Sequence, residues 1–201
     1  MLINPQKFVT NNWISSRFPD QYPLDLRTDG KGQIQQAGFD VRIHSMQVIG
    51  SDIDHHIPHG YVHTHGMLGI NSKKIPPYDL VKPEHDGWFL LKRGNAYAVD
   101  CIEQIALPVG FEGKVIHRST CNRSGVLFTG SVYDPGYVGG IGGTLYVFND
   151  FQIEIGARIG QFQIQTAEEG TAYSGDYQNL TTHQQGSTKI QEQHNGSDRK
   201  A

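Results

Sequence analysis

Several short segments of the chain alternate apolar and polar residues, which is the pattern of strands with one buried face. The clearest segment, residues 40–49 (DVRIHSMQVI), keeps this alternation over ten positions. Two further strands are predicted on either side of the turn at Arg93-Gly94-Asn95. Other short strands are predicted in KVIHRST, GVLFTGSVYD, GTLYVFN and RIGQFQIQ. Strands at short intervals with few helices predict an all-β barrel or sandwich.

The two ends of the chain lack this alternation. Residues 1–36 are polar and interrupted by prolines, and one short helix is expected over residues 6–15. Residues 71–86 are predicted to form a loop, and from residue 167 the chain is rich in Gln, Thr and Ser. We therefore expect an N-terminal extension over 1–36, one β domain over 37–166, and a polar C-terminal arm over 167–201 whose end is disordered.

Composition is consistent with one β-rich domain. The 201 residues suffice for a single core, and 24 glycines suit a sheet with many turns. No apolar run approaches the roughly 18 residues of a membrane span, and the N-terminus lacks the order of a signal peptide. Cys101 and Cys121 form neither a metal motif nor a disulfide framework. We expect a cytoplasmic protein, or one of the host cytoplasm if its source is viral.

The balance of charge limits the kind of ligand. The formal net charge is −3, with acidic and basic side chains well mixed along the chain. Proteins that bind duplex nucleic acid usually carry a basic face, so no polynucleotide partner is expected. A small phosphorylated ligand remains open, because a few positioned arginines and backbone N–H groups can hold it.

Two triplets in the segment 117–149 have the composition of phosphate-binding sites. Arg118-Ser119-Thr120 and Arg123-Ser124-Gly125 each place a guanidinium beside hydroxyl groups and mobile backbone. The planar guanidinium matches phosphate oxygens, and neighbouring N–H and O–H groups fill the remaining acceptors. Surface Arg-Ser pairs are most often simply solvated, so the pattern gains weight only from what surrounds it.

A single carboxylate follows at a tight turn. Asp134-Pro135-Gly136-Tyr137 lies between two apolar runs, where it could equally be an ordinary turn. The glycine stretch after it would allow a ligand to approach the backbone closely; it comprises Gly139, Gly140, Gly142 and Gly143. The order and proximity of the triplets, the carboxylate and the glycines favour a binding site.

Four segments resemble, in order, the first four motifs of the trimeric dUTPases and their dCTP deaminase relatives. They are AGFDV at 37–41, the RST/RSG segment, DPGYVG at 134–139 and ARIGQFQI at 157–164. The resemblance covers roughly residues 37–165. It implies a distorted β-barrel or jelly-roll of the dUTPase-like type, assembled as a homotrimer with active sites at subunit interfaces.

The resemblance also implies roles for individual residues. Asp134 aligns with the aspartate that activates the attacking water, and Tyr137 with the aromatic under the deoxyribose. Asp40 aligns with an aspartate of structural or water-mediated metal role. Mg²⁺ is expected to be held mainly by the substrate triphosphate, with no metal ligand from the protein. The implied substrate-binding residues are Arg118, Ser119, Thr120, Arg123, Ser124, Gly125, Tyr137, Gln161, Tyr173 and Gln184.

The two branches of this superfamily differ in chemistry. The deaminases use a glutamate in the strand after the Asp-Pro-Gly turn, whereas this chain has Tyr146 or its neighbour Leu145 at that place and no glutamate between Glu112 and Glu154. Hydrolysis of dUTP to dUMP and pyrophosphate is therefore favoured. The C-terminal arm does not decide between the two branches. Tyr173 and Gln184 are similar to residues of the deaminase tail, while residues 186–188 (GST) could supply the phosphate-capping part of the hydrolase arm. A dCTP deaminase without the usual glutamate, or a catalytically weak nucleotide-binding regulator, remain alternatives.

A histidine-rich stretch lies outside all four motifs. It contains His55, His56, His59, His63 and His65. Closely spaced imidazoles could share a zinc ion, but a solvated loop is the commoner outcome for such a stretch. We predict no metal site there.

Overall fold

The computed structural model describes residues 1–49, 67–68, 73–74, 78–168, 172–175 and 177–180. The histidine-rich stretch, Gln184 and the GST sequence at 186–188 lie outside the described residues. The predictions made for them therefore stay predictions.

The described part of the chain is built mainly of short strands. Its two helices are single turns, α1 (Gln6–Thr10) and α2 (Ser119–Arg123), and a 3₁₀ turn covers His85–Gly87. The strands are β1 (Ile14–Ser16), β2 (Phe39–Ile49), β3 (Met67–Leu68), β4 (Lys73–Lys74), β5 (Tyr78–Leu80), β6 (Trp88–Leu91), β7 (Ala96–Ala106), β8 (Phe111–His117), β9 (Val126–Thr129), β10 (Val132–Tyr133), β11 (Val138–Val147), β12 (Phe151–Glu154) and β13 (Arg158–Thr166).

One curled antiparallel sheet dominates the architecture. Within the described ranges it follows the order β10-β8-β13-β2-β7-β11-β9, with β1 added to β7 and β5 added to β2. Two further two-stranded sheets, β6 with β12 and β3 with β4, are not hydrogen-bonded to it. The sheet curls into a half-barrel, so the predicted all-β class is confirmed.

The core lies inside this curl and follows from the alternation seen in the sequence. Phe39, Val41 and Ile43 of β2 are fully buried, as are Ile159 and Phe162 of β13. Burying one such side chain contributes about 1.5–3 kcal/mol relative to leaving it in water. Strand β7 is buried on both faces through its centre, where the acidic residues Asp100 and Glu103 are fully buried among apolar ones.

The first residues pack into the same core. Phe8 of α1 is 0% exposed, and Ile14 of β1 pairs with Ile105 of β7. The helix ends at Thr10, earlier than the predicted residue 15, because Asn12 turns the chain into the left-handed region at φ 56°. The backbone N–H of Ile3 donates to the carbonyl of Ile164 at 2.8 Å, which holds the N-terminus beside β13.

Several predicted strands are present, but some of them pair with other strands than expected. Gly94 turns the chain at φ 81° as predicted, but β6 pairs with β12 while β7 pairs with β1, β2 and β11, so the turn joins two sheets. The strand predicted in KVIHRST stops at His117, because α2 begins at Ser119. The loop predicted over residues 71–86 was wrong in part, since β4, β5 and the 3₁₀ turn lie there. Strand β12 was not predicted.

No helix among the described residues combines the length and apolarity needed to cross a membrane.

Candidate functional site

The turn that carries Asp134 connects β10 to β11. Its backbone is closed by the N–H of Tyr137, which donates to the carbonyl of Asp134 at 3.1 Å. Gly136 adopts φ 78°, a conformation that a residue with a Cβ rarely accepts. The side chain of Asp134 is exposed to solvent, so its carboxylate can receive a water or a ligand.

An aromatic pocket of about 270 Å³ opens beside this carboxylate. Tyr137 is 4% exposed and packs edge-on against Tyr133 at 5.3 Å and Tyr173 at 5.4 Å between ring centroids. Its hydroxyl donates to the carbonyl of Gly140 at 3.0 Å, and burial raises its pKa. The ring is therefore a fixed wall. The pocket is lined by Ser131, Val132, Tyr133, Asp134, Tyr137, Tyr173 and Tyr177.

Asp40 organises a second group of predicted residues. It is fully buried on β2, with Oδ2 lying 3.3 Å from Nε of Arg118 and 3.4 Å from Nη1 of Arg158. Gln161 donates from Nε2 to Oδ1 of Asp40 at 3.4 Å. Burial raises the pKa of Asp40, and these three neighbours oppose that rise. Of the two roles left open for Asp40, this geometry supports the structural one.

The short helix α2 presents the other predicted phosphate-binding residues. Ser119, Thr120 and Arg123 are exposed on it, where a ligand could reach them. Ser124 ends the helix, since its hydroxyl donates to the carbonyl of Thr120 at 3.0 Å. Gly125 adopts φ 71°, and a Cβ there would lie 2.5 Å from Nδ2 of Asn149. A glycine is thus required to turn the chain from α2 into β9.

Gln161 also lines a wider polar cavity of about 700 Å³. The opposite wall of this cavity comes from the segment before β2, including Thr28, Gln35 and Gln36. The side chain of Gln161 is engaged with Asp40 in this arrangement, and the cavity opens next to it.

The two groups lie at opposite ends of β8 within one chain. Tyr133, which precedes Asp134, pairs with Gly113 near the start of β8, and Arg118 follows the end of that strand. Five residues at 3.3 Å each separate the two positions by about 16 Å. The structure brings Asp134 together with Tyr137 and Tyr173, and Arg118 together with Gln161, but does not join these groups in one chain.

Sequence reasoning missed four residues that shape these groups. Tyr133 could have been found from its position next to Asp134, and Arg158 from its place in the fourth motif. Tyr177 and Gln178 belong to the polar arm, which has no periodicity that could assign them. The side-chain amide of Gln178 nevertheless forms hydrogen bonds to the backbone of Gly136 and of Val138, the two neighbours of Tyr137.

Comparison with known proteins agrees with this architecture. A family model described as dCTP deaminase-like matches residues 10–167. A probable deoxyuridine 5'-triphosphate nucleotidohydrolase of Methanothermobacter thermautotrophicus is 28% identical over 162 residues, covering 79% of this chain and 97% of the relative. A protein of the same name from Methanopyrus kandleri is 30% identical over 115 residues, 55% of this chain and 73% of the relative.

Among solved structures, the 2'-deoxycytidine 5'-triphosphate deaminase of Agrobacterium tumefaciens superposes with a TM-score of 0.56 at 15% identity. The superposition covers 83% of this chain and 48% of the deaminase, and it supports a shared fold. Because the family model spans most of the chain, including the Asp134 turn and both arginine triplets, this protein belongs to the dCTP deaminase-like family.

Proposed function

We propose that this protein hydrolyses dUTP to dUMP and pyrophosphate. The observation that carries the proposal is the exposed carboxylate of Asp134 at the mouth of a pocket walled by Tyr137 and Tyr173. Curated relatives that match most of the chain are named probable deoxyuridine 5'-triphosphate nucleotidohydrolases, which supports the same reaction.

In the proposed reaction Asp134 accepts the proton of a water molecule while the water oxygen attacks phosphorus. The phosphoanhydride bond between the α and β phosphates breaks, and pyrophosphate leaves with the bonding electron pair. The deoxyribose would lie on the ring of Tyr137. Because that ring is buried and its hydroxyl is bonded to Gly140, it cannot retreat to make room for a 2'-hydroxyl group.

The side chains that the resemblance assigns to the phosphates do not lie at the Asp134 end of β8. Arg123 and Ser119 are exposed on α2, which begins beyond the far end of β8, and that end lies about 16 Å along the strand from the Asp134 end. We propose that a neighbouring copy supplies them, so that a homotrimer forms each site between two chains. Arg118 and Gln161, tied to Asp40, would support the phosphate-facing surface of that copy.

Mg²⁺ would arrive as part of the substrate. Within the ranges that the structure describes, no group of three or more His, Cys, Asp or Glu side chains is arranged to hold a metal ion. The triphosphate itself supplies the oxygen ligands that Mg²⁺ prefers, and the ion would neutralise charge on the leaving pyrophosphate. A pool of free nucleotides also fits the predicted cytoplasmic location.

Deamination of dCTP is the second candidate, favoured by the family model and by the contact of Tyr173 with Tyr137. Against it, Tyr146 of β11 is 43% exposed near the position of the deaminase glutamate, and a phenol is a poor proton shuttle near pH 7. Product analysis separates the candidates, because only deamination converts dCTP to dUTP.

Incubation with Mg²⁺ and dUTP, dCTP or dTTP, followed by separation of the nucleotides, tests the proposal directly. Wild-type protein is expected to form dUMP and pyrophosphate from dUTP. Asp134→Asn should lose about 10²–10⁴-fold in kcat while keeping its affinity for a non-hydrolysable dUTP analogue. Asp20→Asn, which removes another exposed carboxylate, serves as the matched control and should keep full activity. Normal turnover by Asp134→Asn would refute the assignment of the base.

A further inference from the structure

The C-terminal arm lies against the Asp134 turn in a defined register. The N–H of Tyr173 donates to the carbonyl of Pro135 at 2.8 Å, and the N–H of Asn179 donates to the carbonyl of Val138 at 2.8 Å. The N–H of Gly140 donates in turn to the carbonyl of Leu180 at 3.0 Å. The described part of the arm therefore follows the turn and the start of β11 as an added strand would.

The side chain of Gln178 fills the gap in this set of backbone bonds. Its Nε2 donates to the carbonyl of Gly136 at 3.0 Å, and its Oε1 accepts from the N–H of Val138 at 3.1 Å. These two backbone groups flank Tyr137 on either side. One amide thus satisfies both a donor and an acceptor of the turn, in the way that a paired peptide group does in a sheet.

Glycines in the turn and in β11 fit this close approach. A Cβ on Gly136 would lie 2.9 Å from the Cβ of Ala172, and a Cβ on Gly139 would lie 3.0 Å from the carbonyl oxygen of Leu180. Contacts this short exclude larger residues unless the arm moves away. The turn and the arm are therefore complementary in shape as well as in hydrogen bonding.

We propose that Gln178 is a positioning residue for the site proposed above, on which this inference rests. Its amide holds the backbone from Gly136 to Val138 and thereby fixes the ring of Tyr137. The hydrogen bond from Tyr137 N–H to the Asp134 carbonyl extends that restraint to the catalytic carboxylate. Gln178 acts through the backbone of the turn, without touching the reacting atoms itself.

Hydrogen exchange of the nucleotide-free, full-length protein tests the hydrogen bonds independently of catalysis. In Gln178→Ala the amide of Val138 loses its acceptor and is expected to exchange about five- to tenfold faster, the effect of losing one ordinary hydrogen bond. Core amides of β13 should be unaffected. Gln152→Ala, which truncates an exposed glutamine of β12, is the matched control and should leave Val138 unchanged. Unchanged exchange at Val138 in Gln178→Ala overturns the proposal.

Kinetics test the positioning itself. Gln178→Ala is expected to lose about tenfold in kcat for dUTP, because a small displacement of the base is costly, while affinity for a non-hydrolysable dUTP analogue changes less than threefold. An unchanged thermal midpoint separates this effect from misfolding. Equal kcat in the variant and the wild type would overturn the positioning role. If the wild type turns over no nucleotide, the proposed function fails, and hydrogen exchange alone then decides whether Gln178 holds the turn.

Discussion

Mixing two impaired variants tests whether the site is shared between chains. Asp134 lies near one end of β8 and Arg123 lies beyond the other end, so a site that uses both would take each of them from a different copy. Asp134→Asn removes the proposed base and Arg123→Ala removes a proposed phosphate contact. The second loss should cost about 1.5–3 kcal/mol, or roughly 10- to 150-fold in rate. Arg118 is unsuitable for this test, because its pairing with buried Asp40 would mix a structural effect into the result.

The expected recovery follows from counting subunits. In mixed trimers from equal amounts of the two variants, a site has an intact Asp134 in half of cases and an intact Arg123 in half of cases. The product of these independent halves is about one quarter of sites fully intact, so about 25% of wild-type activity returns. If both residues acted from the same chain, no site in any mixture would contain both.

The assay measures dUMP formation after the variants are refolded together, with native mass spectrometry to count subunits in each assembly. Each variant refolded alone gives the baseline. Activity of the mixed trimers that stays at the mean of the two baselines refutes the shared site. Assemblies other than trimers refute the predicted oligomer.

Two further predictions concern stability. Tyr133→Phe removes a buried hydroxyl that donates to the carbonyl of Gly142 and accepts from its N–H, each at 3.0 Å, so the free energy of unfolding should fall by about 1–3 kcal/mol, or roughly 2–12 °C in Tm. The control Tyr146→Phe removes an exposed hydroxyl and should change the free energy of unfolding by under about 0.5 kcal/mol. Equal thermal midpoints for the two variants would contradict the reasoning. Burial raises the pKa values of Asp40 and Glu103 in the folded state, so folding favours their protonated forms. The stability that this contributes is fully present below the unfolded-state pKa values near 4, and it is lost as the pH rises through the higher folded-state pKa values. Urea unfolding across this window should show a smaller fall in the free energy of unfolding for Asp40→Asn than for the wild type, and identical pH dependence would exclude the raised pKa of Asp40.

Local patterns predicted the parts of the fold that depend on neighbouring residues. Alternation located β2 within one residue, and the Pro-Gly pair located the turn that exposes Asp134. Both signals are carried by residues close together in the chain. The packing of Phe8 into the core was not predicted, because one buried aromatic in a polar segment gives no period to detect.

Contacts between distant segments could not be predicted in the same way. The pairing of Arg118 with Asp40 depends on β8 and β2 both lying next to β13, which is a matter of topology. The contact of Gln178 with the turn depends on where the arm returns to the sheet. The resemblance implied that Arg118 and Gln161 both bind substrate. It gave no indication that a buried carboxylate holds both of them.

The glycine stretch of β11 shows how the Asp134 turn is held. That these glycines let a ligand approach the backbone stays a prediction; in the structure, two tyrosine hydroxyls form hydrogen bonds to backbone atoms of this stretch. Tyr133 bonds to both backbone groups of Gly142, and Tyr137 donates to the carbonyl of Gly140.

These two tyrosines flank Asp134 in the chain, one just before it and one three residues after it. A Cβ on Gly139 would lie 2.6 Å from the hydroxyl oxygen of Tyr137, so a larger residue there would have to displace the ring. The small residues of β11 therefore allow the turn to be anchored on the strand that follows it. Because both anchors are bonds to backbone atoms of one strand, the backbone of the Asp134 turn is held within its own chain, whether or not a neighbouring copy contributes to the proposed site.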